Sequence, residues 1–260
     1  MKRDDRRQAI MDLLVSEGSV DLEDLAQRFV VSKMTIHRDL DDLEATGVMR
    51  KVRGGGTIDA GTQFESDFRF RAQYDRAAKV AMSNAALDLV EPGMTVMIND
   101  GSTAAILGER LRDKRPLTVI TNNAAVIEAL KTETGVTLIA VGGTYSAKFN
   151  GFFGMLTENA LAGLRADIAF LSAPAVSGTT VFHMDEAVIN SKRAMIAAGT
   201  KTCLLVHHSR FARTALHKLA DLSEFDAVIT DTRPARDSIS DLEQAGITLT
   251  IAEQDTGVNA

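Results

Sequence analysis

The sequence of 260 residues has few features of a secreted or membrane protein. Its single cysteine, Cys203, cannot form an internal disulfide, so we expect a protein of the reducing cytoplasm. The first apolar stretch, 10–15, is interrupted by Asp12, and we therefore expect no secretory signal. The longest run without a charged side chain, 168–184, contains Pro174 and several hydroxyl residues, which argues against a membrane span.

The chain also lacks a surplus of basic residues, since its net charge is −6 and its pI is about 5.4. This balance by itself argues against a nucleic-acid partner. The distribution qualifies that inference, because residues 1–60 contain ten bases and twelve acids whereas residues 28–53 contain six bases and four acids. Any DNA interface is therefore expected to be local, with few phosphate contacts and a shallow dependence on salt.

Length and pattern indicate an α/β protein with two domains. The length corresponds to between one and two domains at about 150 residues each. Residues 1–58 have the pattern of three helices and a hairpin, and residues 59–74 mix charges with phenylalanines, as in a linker. In residues 75–260, short apolar strands alternate with helices. The predicted fold is a winged helix-turn-helix followed by an open, largely parallel α/β domain.

The strongest local signal is a helix-turn-helix pattern in residues 21–44. Asp21 and Ser32 are suitable N-caps for its two helices. The second of these helices buries an apolar face and turns its polar residues outward, and a hairpin with three glycines and three cations follows, which suits a phosphate backbone. The alternative is a three-helix bundle with a solvated face. The residues expected to contact DNA are Lys33, Met34, Thr35, His37 and Arg38 on the helix and Arg50, Lys51 and Arg53 on the hairpin.

Seven short apolar runs in the second half of the chain are predicted strands. They are Met94–Ile98, Leu117–Thr121, Val136–Val141, Asp167–Ser172, Thr202–His207, Asp226–Thr230 and Ile247–Ile251. Because helical segments lie between most of them, we expect a parallel sheet, in which ligands bind outside the carboxyl ends of the strands.

Polar residues follow several of these strands and suit a small anionic ligand. The sequence Gly101-Ser102-Thr103 offers backbone N–H groups at a helix start to a phosphate, and Asp100 could accept hydrogen bonds from sugar hydroxyls. The alternative is a plain capped turn. Lys192 and Arg210 add cations, although a solvated surface lysine is the simpler interpretation of Lys192.

Metal binding and nucleophilic chemistry are not expected. His207 and His208 are adjacent at the end of a predicted strand, where neighbouring side chains point to opposite faces, so they should not share an ion. Cys203 lies within an apolar strand and is interpreted as a core residue.

Motifs in both halves of the chain occur in an order and spacing that resemble one family. In the first half they are Arg6-Arg7-Gln8-Ala9-Ile10, Leu25-Ala26, Val31-Ser32, Thr35-Ile36, Arg38-Asp39-Leu40, Leu43-Glu44, Gly47 and Gly54-Gly55. In the second half they are Asp100-Gly101-Ser102-Thr103, Thr121-Asn122, Gly142-Gly143, Glu186-Ala187, Lys192-Arg193, Ser209, Phe211 and Ile229-Thr230-Asp231. The chain resembles the DeoR-type family of bacterial transcriptional repressors over nearly its whole length.

The resemblance implies a winged helix-turn-helix on a sensor domain that is similar to sugar-phosphate isomerases and CoA transferases. It implies double-stranded operator DNA and a phosphorylated sugar or related effector as partners, a homodimer or homotetramer, and no cofactor or enzymatic activity. The expected effector residues are Asp100, Gly101, Ser102, Thr103, Thr121, Asn122, Gly142, Gly143, Asp185, Lys192 and Arg210. The chain departs from the family at His37, usually arginine, and at His207 and Arg210, usually aspartate and lysine.

An enzyme of the sugar-phosphate isomerase type is the alternative function. Asp100, Asp185, Glu186 and Lys192 could serve as acids and bases in such a reaction. The N-terminal module argues against it, because an isomerase has no need of a winged helix.

Overall fold

The computed structural model describes residues 2–45, 49–57 and 68–252, which belong to two compact units, Met1–Asp75 and Arg76–Ala260. The elements of the first unit are α1 Arg3–Glu17, β1 Ser19–Asp21, α2 Leu22–Phe29, α3 Lys33–Ala45, β2 Arg50–Val52, β3 Gly55–Thr57 and α4 Phe68–Gln73.

Local caps define the helix-turn-helix, as the sequence predicts. Gly18 ends α1 with a positive φ of 75°. The carboxylate of Asp21 accepts hydrogen bonds from the first backbone N–H groups of α2. The Ser32 hydroxyl accepts one from the Thr35 N–H at 3.1 Å, which caps α3. Between the two helices, Val30 takes a left-handed conformation that turns the chain sharply.

Three short antiparallel strands in the order β1-β3-β2 complete this unit. The hairpin of β2 and β3 was expected, but β1 was not. Two glycines of the hairpin lie close to other parts of this unit: a Cβ on Gly55 would lie 1.9 Å from the Val20 carbonyl oxygen, and one on Gly56 would lie 2.1 Å from Met49 Cε. Gly47 lies outside the described residues, as do Ile58 and residues 59–67 of the predicted linker. The last part of that linker, Phe68–Gln73, is helical.

The second unit is a three-layer α/β domain. Its helices are α5 Arg76–Leu87, α6 Ser102–Arg110, α7 Ala124–Leu130, α8 Met155–Ala162, α9 Glu186–Ala198 and α10 Arg236–Gln244. Its strands are β4 Thr95–Ile98, β5 Leu117–Thr121, β6 Val136–Ala140, β7 Thr144–Ser146, β8 Gly151–Phe153, β9 Ala166–Ser172, β10 Ala175–Ser177, β11 Thr180–His183, β12 Gly199–Leu205, β13 His217–Asp221, β14 Ala227–Thr230 and β15 Leu249–Ile251. Short 3-10 helices cover Leu111–Lys114, His208–Arg210 and Leu222–Glu224.

Seven strands form one parallel sheet in the order β15-β14-β12-β9-β4-β5-β6. They are the seven predicted strands, with shifts of a few residues at their ends. The hairpin β7-β8 and the antiparallel sheet β10-β11-β13 were not predicted. Among the described residues, no helix has the length and apolarity needed to cross a membrane.

Candidate functional site

The third helix presents most of its predicted DNA-contacting side chains to solvent. Lys33, His37 and Arg38 are exposed, and Met34 is 63% exposed although its side chain is apolar. Ile36 and Leu40, on the opposite face, are fully buried in the core of this unit. The helix therefore has one face fixed by packing and one face available for contact.

The exposed cations of this unit differ in how they are paired. Lys33 forms an ion pair with Glu23 on α2. Arg38 and Arg53 are exposed, and neither makes an ion pair with a residue in the described part of the chain. Either guanidinium group could therefore contact an anion without first leaving an ion-pair partner among the described residues.

The side chain of Lys51, on the hairpin, points toward α3. Its ammonium group contacts Asp41 and lies 3.1 Å from His37 Nδ1, and its backbone N–H donates to Glu44 at 2.7 Å. The hydrogen bond and charge of Lys51 hold the pKa of the Asp41 carboxyl below its usual value. Lys51 thus attaches the hairpin to α3, and its predicted phosphate contact requires this pairing to be exchanged.

Three arginines of α1 neutralise the acidic side of α3. Arg6 Nε donates to Asp39 Oδ2 at 2.6 Å, with both side chains buried. Arg7 lies 3.5 Å from the other oxygen of Asp39, and both Arg7 and Arg3 pair with Asp42. These contacts were not predicted, although the arginines of α1 and the aspartates of α3 are visible in the sequence.

The second candidate site lies at the carboxyl ends of β4 and β5. Asp100 and Lys192 are both buried, and Lys192 Nζ lies 3.7 Å from Asp100 Oδ1. Lys192 also donates to the carbonyl oxygen of Ser172, at the end of β9, at 2.7 Å. The lysine is therefore an interior residue, and the interpretation as a solvated surface lysine is wrong.

Three buried oxygen atoms at the ends of β4 and β5 have no hydrogen-bond donor among the described residues. Oδ2 of Asp100, Oδ1 of Asn99 and Oδ1 of Asn122 have no partner within the described structure. A buried acceptor without a donor is costly, commonly about 1–3 kcal/mol. Three such acceptors at one sheet edge provide hydrogen-bonding positions for a ligand rich in hydroxyl groups.

The rest of the site is held by a rigid polar network. Thr121 donates to the Ile98 carbonyl oxygen at 2.7 Å, and Asn123 donates to the carbonyls of Asn99 and Gly101. These contacts join the ends of β4 and β5. The turn of Gly101, with a φ of 114°, leads into α6, whose first residues, Ser102 and Thr103, are buried.

The unpredicted hairpin β7-β8 packs against the same edge. Asn122 donates from its amide to the Phe152 carbonyl oxygen at 2.9 Å. A Cβ on Gly151 would lie 3.4 Å from Asp100 Cβ and 3.1 Å from the Asn122 carbonyl oxygen. The hairpin therefore forms one wall of the site, which sequence patterning did not reveal because its strands have three residues each.

The predicted glycines Gly142 and Gly143 connect β6 to this wall. Gly143 has a φ of 150°, and a Cβ there would lie 2.2 Å from the Thr157 hydroxyl oxygen. Thr157 also donates to the Gly142 carbonyl oxygen at 2.8 Å. The glycine at position 143 is required by the close approach of α8.

Two predicted effector residues have other observed contacts. Asp185 caps α9, since its carboxylate accepts from the Val188 N–H at 3.1 Å, so it positions the helix that carries Lys192. Arg210 lies in the 3-10 helix after β12, two strands along the sheet from β4. Their direct contact with an effector stays a prediction.

His207 and His208 lie side by side, and the prediction that they point to opposite faces of a strand is wrong. Strand β12 ends at Leu205, so His207 and His208 lie beyond it and are not constrained to opposite faces. Their ring centroids are 4.3 Å apart, and both rings contact Asp231.

Cys203 lies in the core, as expected. It is fully buried in β12, and burial raises the pKa of its thiol to about 12. A cavity at the amino ends of the strands borders it, together with Asp167 and Asp226. These carboxylates accept hydrogen bonds from the Thr95 and Thr202 backbone N–H groups and stabilise the strand starts.

Comparisons with known proteins agree with both units. A profile described as "DeoR C terminal sensor domain" matches residues 75–232, and one described as "DeoR-like helix-turn-helix domain" matches residues 6–62. The chain is 30% identical to the L-fucose operon activator of Haemophilus influenzae, over 87% of this chain and 91% of that protein. It is 27% identical to the glycerol-3-phosphate regulon repressor of Escherichia coli K12, over 90% of this chain and 93% of that protein.

Among solved structures, ribose 5-phosphate isomerase A from Methanocaldococcus jannaschii is 21% identical, with a TM-score of 0.37 over 52% of this chain and 53% of that chain. The expected likeness to CoA transferases stays a prediction. The sensor-domain match alone spans more than half of the sequence, and the chain therefore belongs to the DeoR family of transcriptional regulators.

Proposed function

We propose that this protein is a DNA-binding repressor of an operon for carbohydrate catabolism, controlled by a phosphorylated sugar. The observation that carries the DNA half is a helix that is N-capped by Ser32 and exposes Arg38, a cation that pairs with no carboxylate in the described part of the chain. Recognition helices contact base edges and phosphates with residues near their N-terminus. The regulatory relatives support the same activity, although they include both an activator and a repressor.

The proposed assembly is a homodimer or homotetramer on double-stranded operator DNA. A two-fold axis would place two copies of α3 in successive major grooves, about 34 Å apart. Arg38 would contact a base or phosphate, and the hairpin residues Arg50 and Arg53 would contact the backbone. We also propose that the protein acts in the cytoplasm, where it would meet operator DNA.

The proposed effector is a sugar phosphate, because the second site combines two kinds of recognition. The side-chain oxygens of Asn99, Asp100 and Asn122 that have no donor among the described residues are acceptors. Sugar hydroxyls could donate hydrogen bonds to them. The start of α6 at Ser102, together with buried Lys192, supplies backbone N–H groups and a positive charge for a phosphate. A ligand with only one of these groups would leave part of the site unmatched.

A direct experiment is a DNA-binding titration in the presence of candidate effectors. The probe is a DNA duplex selected from a random library by the full chain, and the effectors are glycerol 3-phosphate, ribose 5-phosphate and fructose 6-phosphate. We expect one of them to shift DNA affinity by roughly 5- to 150-fold, the usual range of allosteric coupling. Selection of no duplex would contradict the DNA half of the proposal. Selection of a duplex with no response to any phosphorylated sugar would contradict the effector half alone.

A turnover assay with the same sugar phosphates tests the enzymatic alternative. The Asp100–Lys192 pair has groups that could exchange protons with a sugar phosphate. We propose that the full chain binds such a ligand without converting it. Isomerisation of ribose 5-phosphate at a rate proportional to protein concentration, and lost in Lys192→Met, would favour the enzyme instead.

A further inference from the structure

Two histidines and an aspartate meet at the carboxyl edge of the sheet, outside the site built around Asp100. His207 and His208 follow β12, and Asp231 follows β14. Because β12 and β14 are adjacent parallel strands, with Leu205 paired to Ile229, their ends bring these three residues to one place. His207 and Asp231 are buried, and the His208 side chain is 39% exposed.

The potential ligand atoms converge on one carboxylate oxygen. His208 Nδ1 lies 2.6 Å from Asp231 Oδ2, and His207 Nε2 lies 3.5 Å from the same oxygen. The ligand atoms of the three residues all lie within 4.8 Å of one another. Proximity of this kind is unusual for two consecutive residues, and it arises here because the chain leaves the strand before His207.

We propose that His207, His208 and Asp231 form a binding site for a divalent first-row transition metal ion of the zinc type. Neutral imidazole nitrogens and a carboxylate oxygen are a common donor set for such ions. At metal–ligand distances of about 2.0–2.2 Å, tetrahedral ligands lie about 3.3 Å apart. The 3.5 Å separation already fits this geometry, and the 2.6 Å separation would have to open by about 0.7 Å.

Surrounding groups hold two of the ligands in orientation for a metal. His207 Nδ1 accepts a hydrogen bond from the Ser209 backbone N–H at 3.2 Å and lies 2.8 Å from the Ser209 hydroxyl oxygen, which holds the ring with Nε2 toward Asp231. Asp231 Oδ1 accepts from the His208 backbone N–H at 2.7 Å, which directs Oδ2 toward the two rings. Hydrogen bonds of this type to ligating imidazoles and carboxylates fix ring orientation and strengthen metal binding.

Three protein ligands leave at least one coordination position for water or another small ligand. The site is at the same edge of the sheet as Asp100, two strands away along the order β12-β9-β4.

The test uses the full chain without a histidine tag, stripped with a chelator and titrated with Zn²⁺ in a calorimeter. We expect one ion per chain. His208→Gln is the primary variant, because His208 is partly exposed and the substitution keeps the backbone N–H that holds Asp231. It should weaken binding by more than the roughly 10–100-fold that loss of an outer-shell partner costs. His217→Gln, a partly buried histidine on β13, is the matched control and should bind normally.

A spectroscopic readout separates coordination from loose association. Co²⁺ in place of Zn²⁺ should give the visible absorption of a low-symmetry site with nitrogen and oxygen ligands, and His208→Gln should abolish it. Circular dichroism of the variant checks that the fold is retained. Absence of stoichiometric binding, or equal binding by His208→Gln and the wild type, would overturn the proposal and leave a hydrogen-bonded cluster that only holds two strand ends together.

Discussion

Arg6 on α1 and Asp39 on α3 form a buried ion pair, with Arg6 Nε 2.6 Å from Asp39 Oδ2 and exposures of 7% and 1%. The pair lies on the side of α3 opposite to the exposed residues that are predicted to contact DNA. Because Arg6 belongs to α1, the buried pair ties α3 to α1. Ion pairing inside this unit thus helps to hold the helix that carries Arg38, a residue proposed to contact DNA.

Removal of the carboxylate partner should loosen α3. Asp39→Ala leaves Arg6 buried without its carboxylate, and breaking such a pair typically costs about 3–5 kcal/mol. Hydrogen exchange of the α3 amides in the full chain should show a free energy of opening lower by about that amount. The double variant Arg6→Met with Asp39→Leu should recover much of the lost free energy, because both charges of the buried pair are removed together. Equal loss in the single and double variants would show that packing, rather than charge, is responsible.

Arg38→Ala should weaken DNA binding without affecting the fold. Arg38 is exposed and has no described ion-pair partner, so its removal leaves no unpaired group inside the protein. The expected cost is about 1–3 kcal/mol of binding free energy, measured by fluorescence anisotropy at fixed salt on a selected duplex. Arg165→Ala, an exposed arginine of the second unit, is the matched control. Unchanged affinity for Arg38→Ala would remove this residue from the interface.

Asp41→Asn should strengthen DNA binding. The substitution removes a negative charge from the exposed side of α3 and frees the Lys51 ammonium group for a phosphate. We expect a tighter complex at low salt and a slope of log affinity against log salt that is steeper by about 1. Asp237→Asn on α10 removes the same charge from an exposed position in the other unit and should leave the slope unchanged.

The contact between Lys51 and Asp41 should also depend on pH in a defined direction. Because the Lys51 hydrogen bond lowers the pKa of Asp41, the contact is complete above the ordinary aspartate value of about 3.9 and is lost as the pH falls through the lower folded-state value. The chemical shift of the Lys51 side chain should therefore follow the titration of Asp41 in acid and stay constant at neutral pH. Asp41→Asn should remove the transition.

Gly143→Ala should damage the wall of the effector site, whereas Gly142→Ala should not. A Cβ at position 143 would lie 2.2 Å from the Thr157 hydroxyl oxygen and 2.7 Å from the Phe153 carbonyl oxygen, and the φ of 150° disfavours any side chain. Backbone and packing strain of this kind costs about 1–3 kcal/mol. A Cβ at position 142 would have no neighbour within 4 Å. Comparison of the two melting temperatures tests the assignment, and equal values would contradict it.

Asp100→Asn should reduce the effector response and spare DNA binding. The substitution keeps the size of the side chain but removes the charge beside Lys192 and one of the strong acceptors for ligand hydroxyls. With the sugar phosphate that shifts the melting temperature of the wild type, we expect the shift to fall by at least half at equal ligand concentration. Asp113→Asn, at an exposed position, is the control. An unchanged shift in Asp100→Asn would place the effector elsewhere.

Much of the fold could be predicted from local patterns. Seven apolar runs identified the seven strands of the parallel sheet, because a strand buried on both faces is a continuous apolar segment. Asp21 and Ser32 identified the starts of the two helices of the helix-turn-helix, because an N-cap side chain bonds to N–H groups only two or three residues away. The strands of β1, β7 and β8 were missed, since three residues are too few for a periodic signal.

The site around Asp100 could not be assembled from sequence patterns alone. The sequence places Asp100 after β4 and Lys192 on a later helix, but no spacing rule brings residues 92 positions apart within 3.7 Å. For His207 and His208, the sequence suggested separation where the structure shows contact. Adjacent residues of a strand point to opposite faces, but β12 ends two residues earlier than predicted, so this rule does not apply to them.

By itself, the sequence determined the periodic elements, their caps, and the local grouping of cations around α3 and its hairpin, because these depend on neighbours within a few residues. Only the tertiary structure decided which charges are neutralised internally. Asp39 and Asp42 are paired by α1, and Asp41 by Lys51, so an acidic segment still presents Arg38 and Arg53 to solvent. Electrostatic pairing depends on distance in space, and the sheet and helix packing that sets those distances joins residues far apart in the chain.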